Sequence, residues 1–300
     1  MTVYELVTKQ ILEQLEKGII PWQKPWNIEA PRNLSSGKPY RGINIILLGM
    51  RGFASPWWVT FRQAKERGGH VRKGEKGSTV VFWKRDAREE RNEETGELET
   101  RQRFVLRYYT VFNVEQCEGI EAPAPRKPHA PIQTAEAVVS GMPNRPAIRQ
   151  GARACYIPGL DTVELPARDS FHAIEGYYST LFHELGHSTG HESRLNRNGI
   201  MDVIRFGSED YSKEELVAEM TAAMLCATVG IETTRENSAA YIQNWLKNLR
   251  NDSRLVVMAA AQAQKAADYI LDRANDEECA EAETTKPVPA ETSEAVALAA

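Results

Sequence analysis

The chain has 300 residues, 42% hydrophobic and 26% charged, with a formal net charge of −4, the proportions of a globular protein long enough for two domains. It holds no run of about 18 apolar residues, and Glu5, Glu13 and Glu16 interrupt the N-terminal stretch where a secretion signal needs unbroken apolar sequence, so the expectation is a soluble, cytoplasmic protein with no membrane partner. Cys117, Cys155, Cys226 and Cys279 are scattered without a CxxC pair, which argues against a disulfide framework and against a cysteine zinc site.

Val3, Leu6, Val7, Ile11, Leu12 and Leu15 recur at helical spacing up to Gly18, predicting an amphipathic first helix with a glycine stop. A Pro-rich polar loop follows. Further helices are predicted over 43–50 and 60–67, the latter with Thr60 as N-cap. Residues 77–83 and 104–114 read as strands rich in Val, Phe and Tyr; the charged stretch 86–103 between them lacks apolar periodicity and reads as a mobile hairpin loop. EAPAPRKPHAPIQ, with four prolines, reads as a linker. Beyond it come a short helix (134–140), strands at 153–157 and 161–165, and helices near 174–189, 213–229, 236–250 and 252–273. The fold class predicted is α+β in two domains. A mixed helix/small-sheet domain spans 1–120, the linker 121–133, a mostly helical domain with a short sheet 134–273, and an acidic disordered tail 274–300.

Residues 177–190 read YYSTLFHELGHSTG. On a helix, residues four apart share a face, so His183 and His187 can aim imidazole nitrogens at one ion. Glu184 projects beside them, where its carboxylate can take a proton from water polarised by that ion. Glu215 and Glu219, in EELVAE on the next helix, are also four apart: Glu215 is the candidate third ligand and Glu219 an outer partner of a ligand histidine. Glu214 is rotated by about 100° and is the poorer candidate. His191 continues the row of histidines, but a straight helix rises about 12 Å over eight residues, too far for the outer imidazoles to share an ion. Tyr241 on the following helix is a candidate oxyanion donor, with ordinary helix packing the plainer alternative. The expected cofactor is Zn2+, or another divalent metal.

The N-terminal part carries a different signal. From Met1 to Arg85 there are 15 Lys/Arg against 6 Asp/Glu, a balance of +9 that leaves −13 for the remainder, and five of the six tryptophans lie before residue 84. Aromatic rings stack on unpaired bases while cations follow the phosphates, a mixture suited to single-stranded nucleic acid. The candidate contacts are Trp22, Trp26, Lys38, Arg41, Trp57, Trp58, Arg72, Lys73 and Lys76. Trp22 and Trp26, in a loop with prolines and lysines, are expected at the surface. Core packing is the plainer alternative for any single tryptophan. HVRKGEKGS lacks P-loop spacing, so nucleotide hydrolysis is not expected.

IIPWQKPWN, KPYRGINIILL, WVTFRQA with VRKGEKGSTVVFWK, LFHELGHSTGHESRLNR, EELVAEMTAAMLC and ENSAAYIQNWL together resemble the ArdC-type antirestriction proteins of conjugative plasmids, whose N-terminal domain also resembles a region of plasmid primases. The resemblance implies a single-stranded DNA-binding domain followed by a zincin-like metallopeptidase domain, and a role in shielding incoming transferred DNA from host restriction. It carries over His183 and His187 as ligands and Glu184 as the catalytic carboxylate; Glu215 rests on the broader ExxAE pattern. The alternatives are a DNA-scaffolded zinc metalloprotease, with host restriction enzymes or other proteins as substrates, and an accessory of replication or priming.

Overall fold

Thr2 opens the first helix with a capping box: its hydroxyl accepts from the Glu5 N–H at 3.2 Å while the Glu5 carboxylate accepts from the Thr2 N–H at 2.8 Å. In the computed structural model, which describes residues 1–22, 30–91, 98–123, 131–197, 209–231 and 239–273, that helix (α1) spans Val3–Leu15 and buries Val7, Thr8, Ile11 and Leu15 on one face. Strand β1 (Arg32–Asn33), helix α2 (Ile43–Gly49), strand β2 (Trp57–Val59), helix α3 (Phe61–Glu66) and strands β3 (His70–Val71), β4 (Ser78–Arg91), β5 (Leu98–Asn113) and β6 (Cys117–Glu118) follow. They form a four-stranded sheet in the order β1-β2-β5-β4 and a separate β3-β6 pair. Thr60 caps α3 as expected, and Gln63 completes a capping box that the sequence reading did not include. The buried Asn44 of α2 donates to the Val81 carbonyl and accepts from the Val81 N–H, both at 2.7 Å. One helix side chain thereby satisfies both backbone groups of Val81 on the side of β4 where, among the described residues, no strand pairs.

The stretch expected to be a loop, 86–103, is instead strand up to Arg91 and again from Leu98, with 92–97 outside the described residues. Charged residues hide a strand from pattern reading because the backbone pairing that joins strands leaves no mark on side-chain type. The described residues between 82 and 107 belong to one compact unit, and those of 1–81 and 108–273 to another.

The second half of the sequence supplies helix α4 (Pro131–Gly141), strands β7 (Ala147–Gln150), β8 (Cys155–Ile157) and β9 (Thr162–Leu165), and helices α5 (Ile174–Ser188), α6 (Glu209–Val229), α7 (Ala239–Asn251) and α8 (Leu255–Ile270). The sheet order is β7-β9-β8, with β7 parallel and β8 antiparallel to β9. Sequence reasoning missed β7, whose residues are mostly exposed and carry no apolar alternation. Helix α6 touches α4, α5, α7 and α8 and is buried without interruption from Leu216 to Cys226, as a central helix must be.

The two halves of the sequence meet within the larger unit, where α1 packs on α7 and α8, and α2 on α8. Thr8 donates to the Ser253 carbonyl at 2.7 Å, the Gly42 N–H to Gln264 at 2.8 Å, and Arg41 pairs with Asp268. Trp22 is fully buried and meets Trp245 edge-on at 5.1 Å, so its expected surface position is corrected. A ring this large is worth more against α7 than in water, whatever polar residues flank it in sequence. Among the described residues no helix is long and apolar enough to cross a membrane. Cys226 is buried and its thiol is pushed up to about 12 by that burial, while Cys117 and Cys155 are half-buried free thiols. Cys279 and the tail lie outside the described residues.

Candidate metal centre

The site begins with a close approach of two helices. Gly186, between the two histidines on α5, faces α6 so tightly that an added Cβ would stand 3.2 Å from the Ala218 Cα and 3.3 Å from the Thr221 Cβ. Glycine inside a helix costs about 1 kcal/mol relative to alanine. Here it lets the α6 carboxylates reach the α5 imidazoles.

His183 Nε2 and His187 Nε2 lie 3.0 Å apart. One oxygen of Glu215 is 3.6 Å from the first and the other is 3.4 Å from the second. Donors held at ~2.0–2.2 Å around a tetrahedral ion are about 3.3–3.6 Å apart, so these separations lie close to what one small cation requires. No other group of three or more His, Cys, Asp or Glu among the described residues converges in this way. The charge balance points the same way. Glu184, Glu215 and Glu219 are all buried around the pair, and burying carboxylates in such excess is costly unless a cation offsets them. Two imidazoles and a carboxylate therefore fit a divalent metal in both geometry and charge.

The outer nitrogens also meet α6. His183 Nδ1 is 3.7 Å from Glu219, and His187 Nδ1 is 3.5 Å from Glu214, so three glutamates of one helix serve two histidines. Glu214 lies outside the converging trio, and its place behind His187 was missed. A rotation of about 100° from Glu215 carries it from the inner to the outer side of the ring. Arg197 fixes it there: its guanidinium donates to Glu214 at 2.6 and 3.2 Å, to Thr189 Oγ1 at 2.5 Å and to the Gly186 carbonyl at 2.9 Å. Burial opposes a charge on His187, yet its hydrogen bonds to Glu214 and Glu215 and the field of Glu184 push its pKa up to about 10. Burial pushes Glu214 up, but the His187 and Arg197 bonds win and hold it below the usual carboxylate range.

Glu184 accepts from the Tyr156 N–H at 2.9 Å, which ties the carboxylate to β8, the end strand of its sheet. Behind β8, the Tyr156 hydroxyl donates to Asp161 at 2.8 Å, and Arg194, with no exposed side-chain surface, pairs with Asp161 and donates to the Ser188 carbonyl at 2.7 Å. Arg194 and Arg197 were not singled out from sequence; the signal was the run HESRLNR directly after the histidines. His191 is not in the cluster. Its Nδ1 is 2.8 Å from the Ser193 hydroxyl in the turn after α5. The Tyr241 side chain lies outside the described residues.

The nucleic-acid candidates are dispersed. Trp58 is buried, edge-on to Phe53, and with Trp22 it is corrected from a stacking surface to core. Trp57 is half-buried and donates to the Pro123 carbonyl at 2.8 Å. Arg41 is held by Asp268, and Arg72 by Glu75 at 2.7 Å and the Glu115 carbonyl at 2.6 Å. Lys38, Lys73 and Lys76 are exposed, and Trp26 lies outside the described residues. Among the described residues the exposed aromatics are Phe61, Trp83, Tyr108 and Tyr109.

Comparison with known proteins supplies the family. A family model described as the N-terminal domain of anti-restriction factor ArdC matches residues 1–112, and one described as zincin-like metallopeptidase matches residues 133–262. The metal-free crystal structure of the antirestriction ArdC protein from plasmid R388 superposes with a TM-score of 0.75 at 40% identity, covering 91% of this chain and 97% of that one. The Mn(II)-bound structure of the same protein gives 0.74 at 39% identity, covering 93% and 100%. DNA primase TraC of Escherichia coli is 37% identical over 288 residues, which is 89% of this chain but 20% of the primase, so the chain spans about a fifth of that relative.

Proposed function

Because this chain belongs to the ArdC antirestriction family and carries its zincin-like domain, we propose that it is an antirestriction protein that binds single-stranded DNA and protects incoming transferred DNA from host restriction. A zinc-dependent peptidase-type centre is joined to that activity. The observation that carries this reading is the pairing, in one ArdC-family chain, of the His183–His187–Glu215 cluster with an N-terminal part whose charge balance is +9.

His183, His187 and Glu215 would hold the ion, zinc or another divalent metal such as the manganese of the R388 protein. When bound, it would polarise a peptide carbonyl and bring the pKa of water down toward neutrality. Glu184 takes a proton from the attacking water and hands it to the leaving amine. Its tether to the Tyr156 N–H keeps the carboxylate beside β8, along which an extended peptide could pair. Arg194 and Arg197 hold β8 and Glu214 in register with α5.

A filter-binding titration tests the DNA reading. Single strands should be preferred over duplex, with affinity falling steeply as salt rises; equal or absent binding would sink it. The tether of Glu184 to the end strand favours a second reading, a DNA-scaffolded protease acting on host or DNA-bound proteins. Glu184→Gln should keep bound metal and DNA affinity while lowering any peptidase rate by roughly 100- to 10,000-fold. Loss of antirestriction in that variant selects the protease; full antirestriction removes proteolysis from the mechanism.

A further inference from the structure

Two of the tryptophans expected to stack, Trp22 and Trp58, are core, so the aromatic surface of the N-terminal region is sought among the other rings. Successive residues of a strand alternate between faces. Along β5, Val111 and Asn113 point into the core at 1% and 0% exposure, while Tyr108 on the other face is 54% exposed. Thr110 and Phe112 share the face of Tyr108, Thr110 exposed and Phe112 half-buried. Phe61, the first residue of α3, is 49% exposed and lies against Phe112, ring centroids 6.5 Å apart. An anchored strand and a capped helix thus hold large rings in water, which their apolar area alone does not explain.

The cations beside these rings are placed for an anionic ligand. Lys65 Nζ sits 5.0 Å over the Phe61 ring. Gly77 lies under the same face, since an added Cβ would fall 2.2 Å from Thr110 Cγ2 and 3.1 Å from Phe112 Cζ, so the loop leading into β4 opens beside the rings. That loop is braced: Arg72 bonds Glu75, and Gln116 bonds both Glu75 at 2.9 Å and the Lys76 carbonyl at 3.0 Å. Lys73 and Lys76 are left exposed.

We propose that single-stranded nucleic acid lies on the face of β5 formed by Tyr108, Thr110 and Phe112 and continued by Phe61. The rings stack on unpaired bases, and Lys65, Lys73 and Lys76 meet the phosphates. This placement rests on the reading that the chain binds single strands. A duplex would not offer its base faces to such a surface.

The test uses the full chain and a fluorescently labelled oligothymidylate, followed by anisotropy over a range of salt. Phe61→Ala and Tyr108→Ala should each weaken binding by roughly 5- to 100-fold, with the melting temperature little changed, and Tyr108→Phe should restore affinity. Lys73→Ala with Lys76→Ala should flatten the slope of log affinity against log salt by about 1.4. Wild-type affinity in the Phe61→Ala/Tyr108→Ala double variant overturns the placement while leaving single-strand binding standing. Failure of the wild-type chain to bind overturns both. A double variant that keeps its DNA affinity and loses antirestriction assigns this face to a protein partner, and likewise overturns the placement.

Discussion

The metal centre and the basic N-terminal region were both foreseen from residue types, yet only the first is assembled from the residues named for it. His183, His187 and Glu215 converge, with Glu219 behind, because helical periodicity fixes which side chains share a face once the helix is known. Trp22 and Trp58 of the N-terminal region went to the core instead. Nothing in their local sequence says which neighbour will cover them. Spacing specifies a constellation; composition specifies only an inventory, and tertiary packing decides which members reach the surface.

The largest effect expected is at the centre. His187→Ala should abolish stoichiometric metal in elemental analysis of the purified protein. The two regions share no partner among the contacts described, and such sites add independently to within roughly 0.5 kcal/mol, so single-strand affinity should stay within about twofold. A larger fall would mean that the centre and the DNA surface are coupled. Next comes Trp22→Ala, which should cost about 3–5 kcal/mol of stability, read as a lowered denaturation midpoint, because it empties a fully buried site against Trp245. If it instead left stability intact and weakened DNA binding, Trp22 would return to the surface. Gly186→Val should cost about 1–3 kcal/mol, since the new methyls would meet the Ala218 backbone. It should weaken metal binding as well by parting α5 from α6.

Much of the fold was legible for the same reason as the site. Helices α1, α7 and α8 carry a periodic apolar face, and Thr60 and Gly18 mark ends that the structure reproduces. What was not legible has long-range causes. The strands of 86–103 are held by pairing rather than by a hydrophobic pattern, and β7 is recognisable only beside β9. Arg41 reads as a surface cation until Asp268, 227 residues away, is placed against it. The supporting places of Glu214 and Arg197 were missed because their work is done on another residue, and no spacing rule links positions 197 and 214.

Arg197 and Glu214 are the two residues whose contribution should be the smallest and most diagnostic. Glu214→Gln keeps the shape of the side chain and removes the charge that both Arg197 and His187 Nδ1 meet. A carboxylate behind a ligand histidine orients the ring and raises its basicity, and its loss commonly lowers metal affinity by about 10- to 100-fold. The variant should show that fall in competition with a chelator, while Glu219→Gln, acting on His183, should show a comparable one. If Glu214→Gln lowered the melting temperature and left metal affinity untouched, the Arg197–Glu214 pair would be a structural clasp between the end of α5 and the start of α6. The line between legible ligands and hidden support would then fall one residue closer to the metal than the geometry draws it.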